Sequence, residues 1–236
     1  MSEVREHRGD DVLKHACAVA QRAGLDLRFS ADGTLVLAGD GMELCGDFSR
    51  MLPRVKQGRL QQELLVRAAR LKGVEHPTAV DATAGLGEDS FLLAAAGFEV
   101  TLFEHNPVTA ALLRDALSHA GDDPRLAEVA GRMRLVEADS VAALPHIEPA
   151  PDLVLLDPMF PAKQKSGIAK KKLQMLQRLE LPCATEEELL EAALSAGPRK
   201  VVIKRPLKGP HLAGKKPSYT LEGKVIRYDC LVLPRS

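Results

Sequence analysis

The chain has 236 residues, of which 45% are hydrophobic, and its 32 lysines and arginines balance 32 acidic residues. This length and hydrophobic content suit one sizeable domain with a smaller appendage, or two small domains. No apolar run reaches the ~18 residues of a membrane span, and the charged N-terminus lacks a secretory signal's apolar stretch, so we expect a cytoplasmic protein with no membrane partner. The four cysteines are too scattered to form a paired metal motif, which predicts free thiols and no bound metal.

Charge is distributed unevenly along the chain, although the net charge is zero. Residues 51–73 hold six bases and one acid, Glu63, and residues 198–236 hold ten bases and two acids. Such segregation favours an electrostatic footprint on one surface of the molecule.

Residues 1–73 are predicted to form a small N-terminal α+β subdomain. A helix is expected over Val12–Ala23, followed by short strands in LDLRF, TLVLA and MELCGDF that are separated by turn-forming residues. A basic amphipathic helix over about Gln61–Leu71 is expected to lead out of this unit.

Residues 74–236 alternate between strand-like and helix-like segments. The apolar runs TAVDA, VTLFE, MRLVEA, DLVLLD and KVVIK alternate with DSFLLAAAG, PVTAALLRDALSHAG and TEEELLEAALSAG, the last of which begins with a capping box from Thr185 to Glu188. This order predicts a mostly parallel sheet with helices on both faces, and TLEGKVIRYDCLVLP predicts a C-terminal antiparallel hairpin. The expected fold is α/β, a Rossmann-like class I arrangement common among S-adenosylmethionine (SAM) dependent methyltransferases.

The segment after the first strand of this region, VDATAGLGEDSF, has the features of a ligand loop. Gly85 and Gly87 allow a close approach of backbone to a ligand, although a tight turn explains them as well. Asp81, Glu88 and Asp89 add negative charge, which would repel a pyrophosphate and so disfavours a nicotinamide cofactor. A cofactor with a cationic sulfonium and an ammonium group, such as SAM, suits this loop better.

Acidic residues also follow the next two strands. Glu104 lies 19 residues after Gly85, where a carboxylate can accept hydrogen bonds from ribose hydroxyls; a solvated acid at a strand end is the alternative. Asp139 and Ser140 follow the third strand, where they either contact an adenine or cap the next helix.

The fourth strand ends in Asp157-Pro158-Met159-Phe160, an order that suits transfer of a methyl group to an amine. An aryl amine is a weak nucleophile, so the Asp157 carboxylate and the Pro158 carbonyl would accept its N–H groups and orient its nitrogen. Phe160 would stack on the target base. A simple turn with a core phenylalanine is the alternative.

Basic residues follow this segment and recur at the end of the fifth strand, where they favour contacts with phosphates rather than merely a solvated surface. The chain has few aromatic residues, so recognition of a nucleic acid should depend on charge and shape. The candidate RNA-binding residues are Lys163, Lys165, Lys170, Lys171, Lys172, Lys204 and Arg205.

Four stretches, VDATAGLGEDSFLLAAAG, FEHNPVTAALL, LLDPMFPAKQKSGIAKKK and VVIKRP, resemble the RsmJ family of 16S ribosomal RNA guanine-N2 methyltransferases. The resemblance implies transfer of a methyl group from SAM to a guanine of 16S rRNA in the small ribosomal subunit. Alternatives are another RNA, DNA or a protein amide as substrate, or a non-catalytic ribosome-assembly factor that binds RNA. The residues that the resemblance implies for SAM binding are Glu88, Asp89, Glu104, His105, Asp139, Ser140 and Asp157.

Overall fold

The structure, a computed structural model, describes residues 2–158, 174–179 and 184–234. It begins with helix α1 (Ser2–Arg22), which starts ten residues before the expected position because charged helix formers give no apolar periodicity. Three antiparallel strands follow in spatial order as β1 (Asp26–Phe29), β2 (Leu35–Gly39) and β3 (Met42–Leu44). These elements agree with the helix and three strands expected near the N-terminus.

The basic linker that follows is less helical than expected. It contains short helical turns over Phe48–Met51 and Leu60–Gln62, helix α2 (Leu52–Val55) and helix α3 (Leu64–Ala69). The predicted helix over Gln61–Leu71 is therefore wrong at both ends. Lys200 Nζ donates to the carbonyl oxygens of Ala68 and Arg70, which stabilises the end of α3 at this point.

The main sheet has seven strands, β4 (Thr78–Asp81), β5 (Glu99–Phe103), β6 (Met133–Val136), β7 (Leu153–Leu156), β8 (Lys200–Pro206), β9 (Tyr219–Glu222) and β10 (Ile226–Val232). Their spatial order is β6-β5-β4-β7-β8-β10-β9. Strands β4 to β8 are parallel to one another, and β10 is antiparallel to both β8 and β9. The predicted Rossmann-like class with a C-terminal antiparallel hairpin is confirmed.

Helices cover both faces of this sheet. Along β7, Leu153 and Leu155 face a core shared with α3 and the helix of residues 88–95, whereas Val154 and Leu156 face a core shared with the helix of residues 186–195. Because both faces are buried, β7 is apolar throughout, as expected of a central parallel strand. Further α-helices in the described part of the chain are α4 (Glu88–Ala95), α5 (Pro107–Asp122), α6 (Ala127–Ala130), α7 (Ser140–Ala143) and α8 (Glu186–Ser195).

The N-terminal sheet packs on α5. Leu37 and Leu44 share a buried cluster with Val108 and Leu112, and the Leu35 N–H donates to the Asp115 carboxylate at 2.9 Å. This contact places the first fifty residues against the main domain, while the expected boundary near residue 73 stays a prediction. Within the described ranges no helix is long and apolar enough to cross a membrane.

Candidate active site

The parallel strands bring the expected ligand residues to one edge of the sheet, at the carboxyl ends of β4, β5 and β7. This is where strand order reverses, between β4 and β7, and where open α/β sheets bind ligands. The loop after β4, residues 82–87, is called the cofactor loop below. In it Gly85 and Gly87 have φ angles of +56° and +79°. A Cβ at Gly87 would lie 2.8 Å from Leu113 Cδ1, so both backbone angle and packing require glycine there.

Glu104 joins the end of β5 to the cofactor loop. Its Oε2 accepts a hydrogen bond from the Gly85 N–H at 3.0 Å, and its Oε1 accepts one from the Asn106 N–H at 2.8 Å. Burial raises the pKa of Glu104, and these backbone donors oppose the rise. The neighbouring His105 is more exposed, with Nδ1 3.9 Å from Glu104 Oε1. The structure thus holds the Glu104 carboxylate in one orientation beside the glycines.

Asp81 lies beneath the cofactor loop rather than on its surface. Its fully buried carboxylate accepts hydrogen bonds from Ser90 Oγ at 2.6 Å and from the Thr83 N–H at 3.1 Å. The structure therefore argues against direct contact between Asp81 and a cofactor, and gives it the role of ordering the loop. Burial raises the pKa of Asp81 to about 7, although both hydrogen bonds lower it.

This raised pKa predicts that protein stability depends on pH through Asp81. The folded pKa of about 7 exceeds the ordinary value of 3.8, so between these values the folded protein binds a proton that the unfolded chain releases. The contribution of Asp81 to the free energy of unfolding should fall as pH rises from about 4 to 7, by up to ~1.4 kcal/mol per pH unit. Urea unfolding of the wild type and Asp81→Asn across this range measures it. Parallel stability curves for the two proteins would contradict the prediction.

Asp139 and Ser140 lie at the start of α7. Asp139 Oδ1 accepts a hydrogen bond from the Val141 N–H at 2.9 Å, and Ser140 is buried. Helix capping, one of the two expected roles, is thus present. Adenine contact stays a prediction.

Asp157 follows β7 and lies beside the cofactor loop. Its N–H donates to Thr83 Oγ1 at 2.7 Å, and its Oδ2 lies 2.8 Å from Lys204 Nζ. Lys204 Nζ is also 2.6 Å from Asp89 Oδ2. The Asp157 side chain is 38% exposed, so a substrate group can reach it. Pro158 is half-buried, whereas Phe160 and the predicted RNA-binding lysines 163, 165, 170, 171 and 172 lie outside the described residues.

The structure argues against the expected phosphate contacts of Lys204 and Arg205. Two carboxylates hold the Lys204 ammonium. Arg205 is fully buried on the other face of the sheet, where Nη1 contacts Glu186 Oε1 at 2.9 Å and Nε donates to the Pro210 carbonyl. These cations stabilise the end of β8 instead of facing solvent.

The loop between β8 and β9, residues 207–218, is held from within by Arg227. Its buried guanidinium donates to the carbonyl oxygens of Leu207 and Gly209, and pairs with the buried Asp229 carboxylate. The loop is thereby fixed where it leaves β8 at the active-site edge of the sheet. It then runs to Ser218, which contacts Cys230 and Val232 towards the opposite edge. Its lysines at positions 208, 215 and 216 are exposed.

Two polar residues of the site were not anticipated from the sequence. Thr83 accepts a hydrogen bond from the Asp157 N–H, and Ser90 donates one to the Asp81 carboxylate. The role of Lys204 was also missed, although strand register contains the signal for it. Leu156 pairs with Ile203 in the parallel β7–β8 ladder, so the next residues, Asp157 and Lys204, are neighbours.

Comparison with known proteins agrees with this geometry. The family model described as "Putative SAM-dependent methyltransferase" matches residues 19–233. A relative from Thioalkalivibrio sulfidiphilus named ribosomal RNA small subunit methyltransferase J is 39% identical, covering 98% of this chain and 99% of the relative. A protein of that name from Aeromonas salmonicida is 44% identical, covering 76% of this chain and 73% of its own length.

A solved structure is similar as well. It is a SAM-dependent methyltransferase from Neisseria gonorrhoeae, with a TM-score of 0.67 and 33% sequence identity, covering 84% of this chain and 79% of the other. Sequence, sheet order and the loop chemistry therefore agree. The chain belongs to the ribosomal RNA small subunit methyltransferase J (RsmJ) family of SAM-dependent methyltransferases.

Proposed function

We propose that this protein transfers a methyl group from SAM to the exocyclic N2 of a guanine in 16S rRNA of the small ribosomal subunit. The observation that carries the proposal is a partly exposed carboxylate, Asp157, fixed beside the cofactor loop, to which the Glu104 carboxylate is also hydrogen-bonded. The names of the relatives support small-subunit rRNA as the substrate. The choice of guanine N2 rests on the family resemblance and on the amine-accepting geometry of Asp157.

The residues at the site fit SAM by their chemistry. The Glu104 carboxylate suits ribose hydroxyls, and the backbone of Gly85 and Gly87 allows close approach. Glu88 is exposed in the first turn of α4, and the nearby Lys204 is already held by two carboxylates, which disfavours a cofactor that contains a pyrophosphate. When bound, SAM supplies an electrophilic methyl group on a cationic sulfur, which becomes a neutral thioether as the nitrogen–carbon bond forms.

Asp157 and Pro158 then act on the amine. The guanine N2 lone pair is delocalised into the ring, so orientation matters more than deprotonation. The Asp157 carboxylate and the Pro158 carbonyl accept the two N–H bonds, align the nitrogen, and stabilise the positive charge that develops on it. Asp157 accepts the proton that the nitrogen loses after methylation, and passes it to water.

Exposed lysines of the β8–β9 loop supply a surface for RNA that begins at the active-site edge of the sheet. The β8–β9 loop presents Lys208, Lys215 and Lys216, and the Leu207 N–H donates to the Val225 carbonyl oxygen at 3.0 Å, which joins this loop to the tip of the β9–β10 hairpin. Cations that extend from the site along this loop suit the phosphates of a folded RNA. This loop replaces Lys204 and Arg205 as the proposed RNA contact.

Replacing Lys208, Lys215 and Lys216 together with glutamine should weaken RNA binding and its dependence on salt. Each phosphate contact contributes about 0.7 to 0.9 to the magnitude of the negative slope of log affinity against log salt concentration. The triple variant should therefore have a slope that is smaller in magnitude by about 2 to 3. RNA titrations at several salt concentrations measure it, with Lys72→Gln as a control remote from the site. An unchanged slope would contradict the proposal that this loop binds RNA.

The function itself is tested by transfer of labelled methyl from SAM. Small ribosomal subunits and bare 16S rRNA, both from cells that lack this protein, are incubated separately with enzyme and then digested to nucleosides. Label in N2-methylguanosine is the expected result. Label in another nucleoside would contradict the target atom, and no label in either substrate despite SAM binding would favour a transfer RNA or protein substrate.

A further inference from the structure

We infer that Lys204 is a positioning residue for methyl transfer, which fixes the Asp157 carboxylate for the amine and links it to Asp89 at the cofactor loop. The inference deepens the proposed function and rests on it. It replaces the phosphate contact that the sequence suggested for this lysine.

The geometry carries the inference. Lys204 Nζ lies 2.8 Å from Asp157 Oδ2 and 2.6 Å from Asp89 Oδ2, so one ammonium group joins three elements, the end of β7, β8 and the first turn of α4. Both carboxylates are held through one oxygen. Lys204 contacts Asp157 through Oδ2, so we assign the other oxygen, Oδ1, to the amine.

The surroundings of Asp157 explain why a cation is needed. Besides Lys204, the ionisable groups that interact with it from described elements are Asp89 on α4, Asp81 on β4 and Tyr228 on β10. Arg54 on α2 interacts in turn with Asp89 and Tyr228, and its guanidinium is paired with Glu63. Burial raises the pKa of Asp157, Lys204 lowers it, and Asp89 raises it. Without Lys204, two facing carboxylates would have no shared counter-charge, and Asp157 would bind a proton more readily.

Lys204 is itself locked in its charged form. Burial would lower the pKa of Lys204, but Asp89 and Asp157 together raise it above its ordinary value. The ammonium therefore stays charged across the pH range in which Asp157 titrates. It also holds the N-terminal turn of α4 against the catalytic strand, so that the cofactor loop and the amine acceptor keep one relative position.

A titration of Asp157 in the free enzyme tests this directly. Carbon-13 NMR of labelled aspartate carboxyl groups follows Asp157, assigned by its absence in Asp157→Asn. In Lys204→Met the Asp157 pKa should rise by about 1 to 3 pH units, and in Lys204→Arg it should return towards the wild-type value. Lys72→Met, which removes an exposed lysine at the opposite edge of the sheet, should leave it unchanged.

Activity provides the second readout. The acidic limb of the pH profile of kcat/KM should move to higher pH in Lys204→Met by the same amount as the Asp157 pKa. An unchanged Asp157 pKa in a folded Lys204→Met protein would overturn the inference. If that protein does not fold, Asp89→Asn serves instead, since loss of this negative charge should lower the Asp157 pKa, and a rise or no change would overturn the inference.

The two proposals fail separately. The NMR titration needs no RNA, so a wild-type enzyme that transfers no methyl group to 16S rRNA would contradict the proposed substrate while leaving the Lys204 bridge supported. Conversely, the wild-type enzyme could form N2-methylguanosine normally while the Asp157 pKa is the same in wild type and Lys204→Met. That result would contradict only the positioning role of Lys204.

Discussion

Replacement of Asp157 with asparagine is expected to lower kcat for methyl transfer by about 10²- to 10⁴-fold. The amide keeps the size and shape of the carboxylate, and its carbonyl can still accept one N–H bond. It carries no negative charge to stabilise the developing cation, and it cannot take up the proton that the nitrogen loses. Asp157 is partly exposed and held from one side by Lys204, so the exchange should not disturb the fold.

Two measurements separate chemistry from binding. Single-turnover transfer of labelled methyl gives the rate of the chemical step, and calorimetric titration gives SAM affinity, which should fall modestly rather than vanish. Asp122→Asn, an exposed aspartate at the end of α5, is the matched control and should behave as wild type. Wild-type kcat in Asp157→Asn would contradict the assigned role and favour the simple-turn interpretation of this segment.

The main sheet could be predicted from the sequence because its strands are short apolar runs separated by amphipathic helices with clear boundaries. The capping box at Thr185 is present, with Thr185 Oγ1 accepting from the Glu188 N–H at 3.1 Å. The hairpin is present at the expected turn, where Glu222 ends β9. Local sequence patterns therefore predict those elements whose structure is determined by residues close together in the sequence.

The roles of Lys204 and Arg205 could not be obtained from charge alone. Adjacent residues of a strand point to opposite faces, so Lys204 meets Asp89 of α4, while Arg205 meets Glu186 of α8. Whether a basic side chain at a strand end faces solvent depends on the acids that the neighbouring helices bring to it. Those partners lie 115 and 19 residues away in sequence, beyond the reach of a local pattern.

Burial likewise separates the acidic residues that the sequence grouped together. Asp81 and Asp89 both suit a cationic cofactor by composition, yet Asp81 is buried and bonded to Ser90, and Asp89 pairs with Lys204. Of this acidic set, Glu104 keeps the geometry expected of a ribose acceptor, because both of its oxygens are oriented by backbone N–H groups. We therefore expect replacement of Glu104 to have a large effect on the affinity for SAM.

Glu104→Gln is expected to weaken SAM binding by about 10- to 100-fold, because hydrogen bonds to a charged acceptor contribute about 1.5 to 3 kcal/mol. The amide has one acceptor oxygen, so it cannot satisfy both the Gly85 and the Asn106 N–H groups and also receive ribose hydroxyls. Calorimetric titration with SAM and with S-adenosylhomocysteine measures the loss, which should be similar for both because they share the ribose.

Glu99→Gln is the matched control for this variant, since Glu99 is an exposed glutamate at the opposite end of the same strand and should retain wild-type affinity. A Glu104→Gln protein that binds both ligands as tightly as wild type would show that Glu104 is a structural link between β5 and the cofactor loop. A loss confined to SAM would place Glu104 near the sulfonium rather than the ribose. Equal losses for both ligands would identify the Glu104 carboxylate as the group that accepts hydrogen bonds from the ribose.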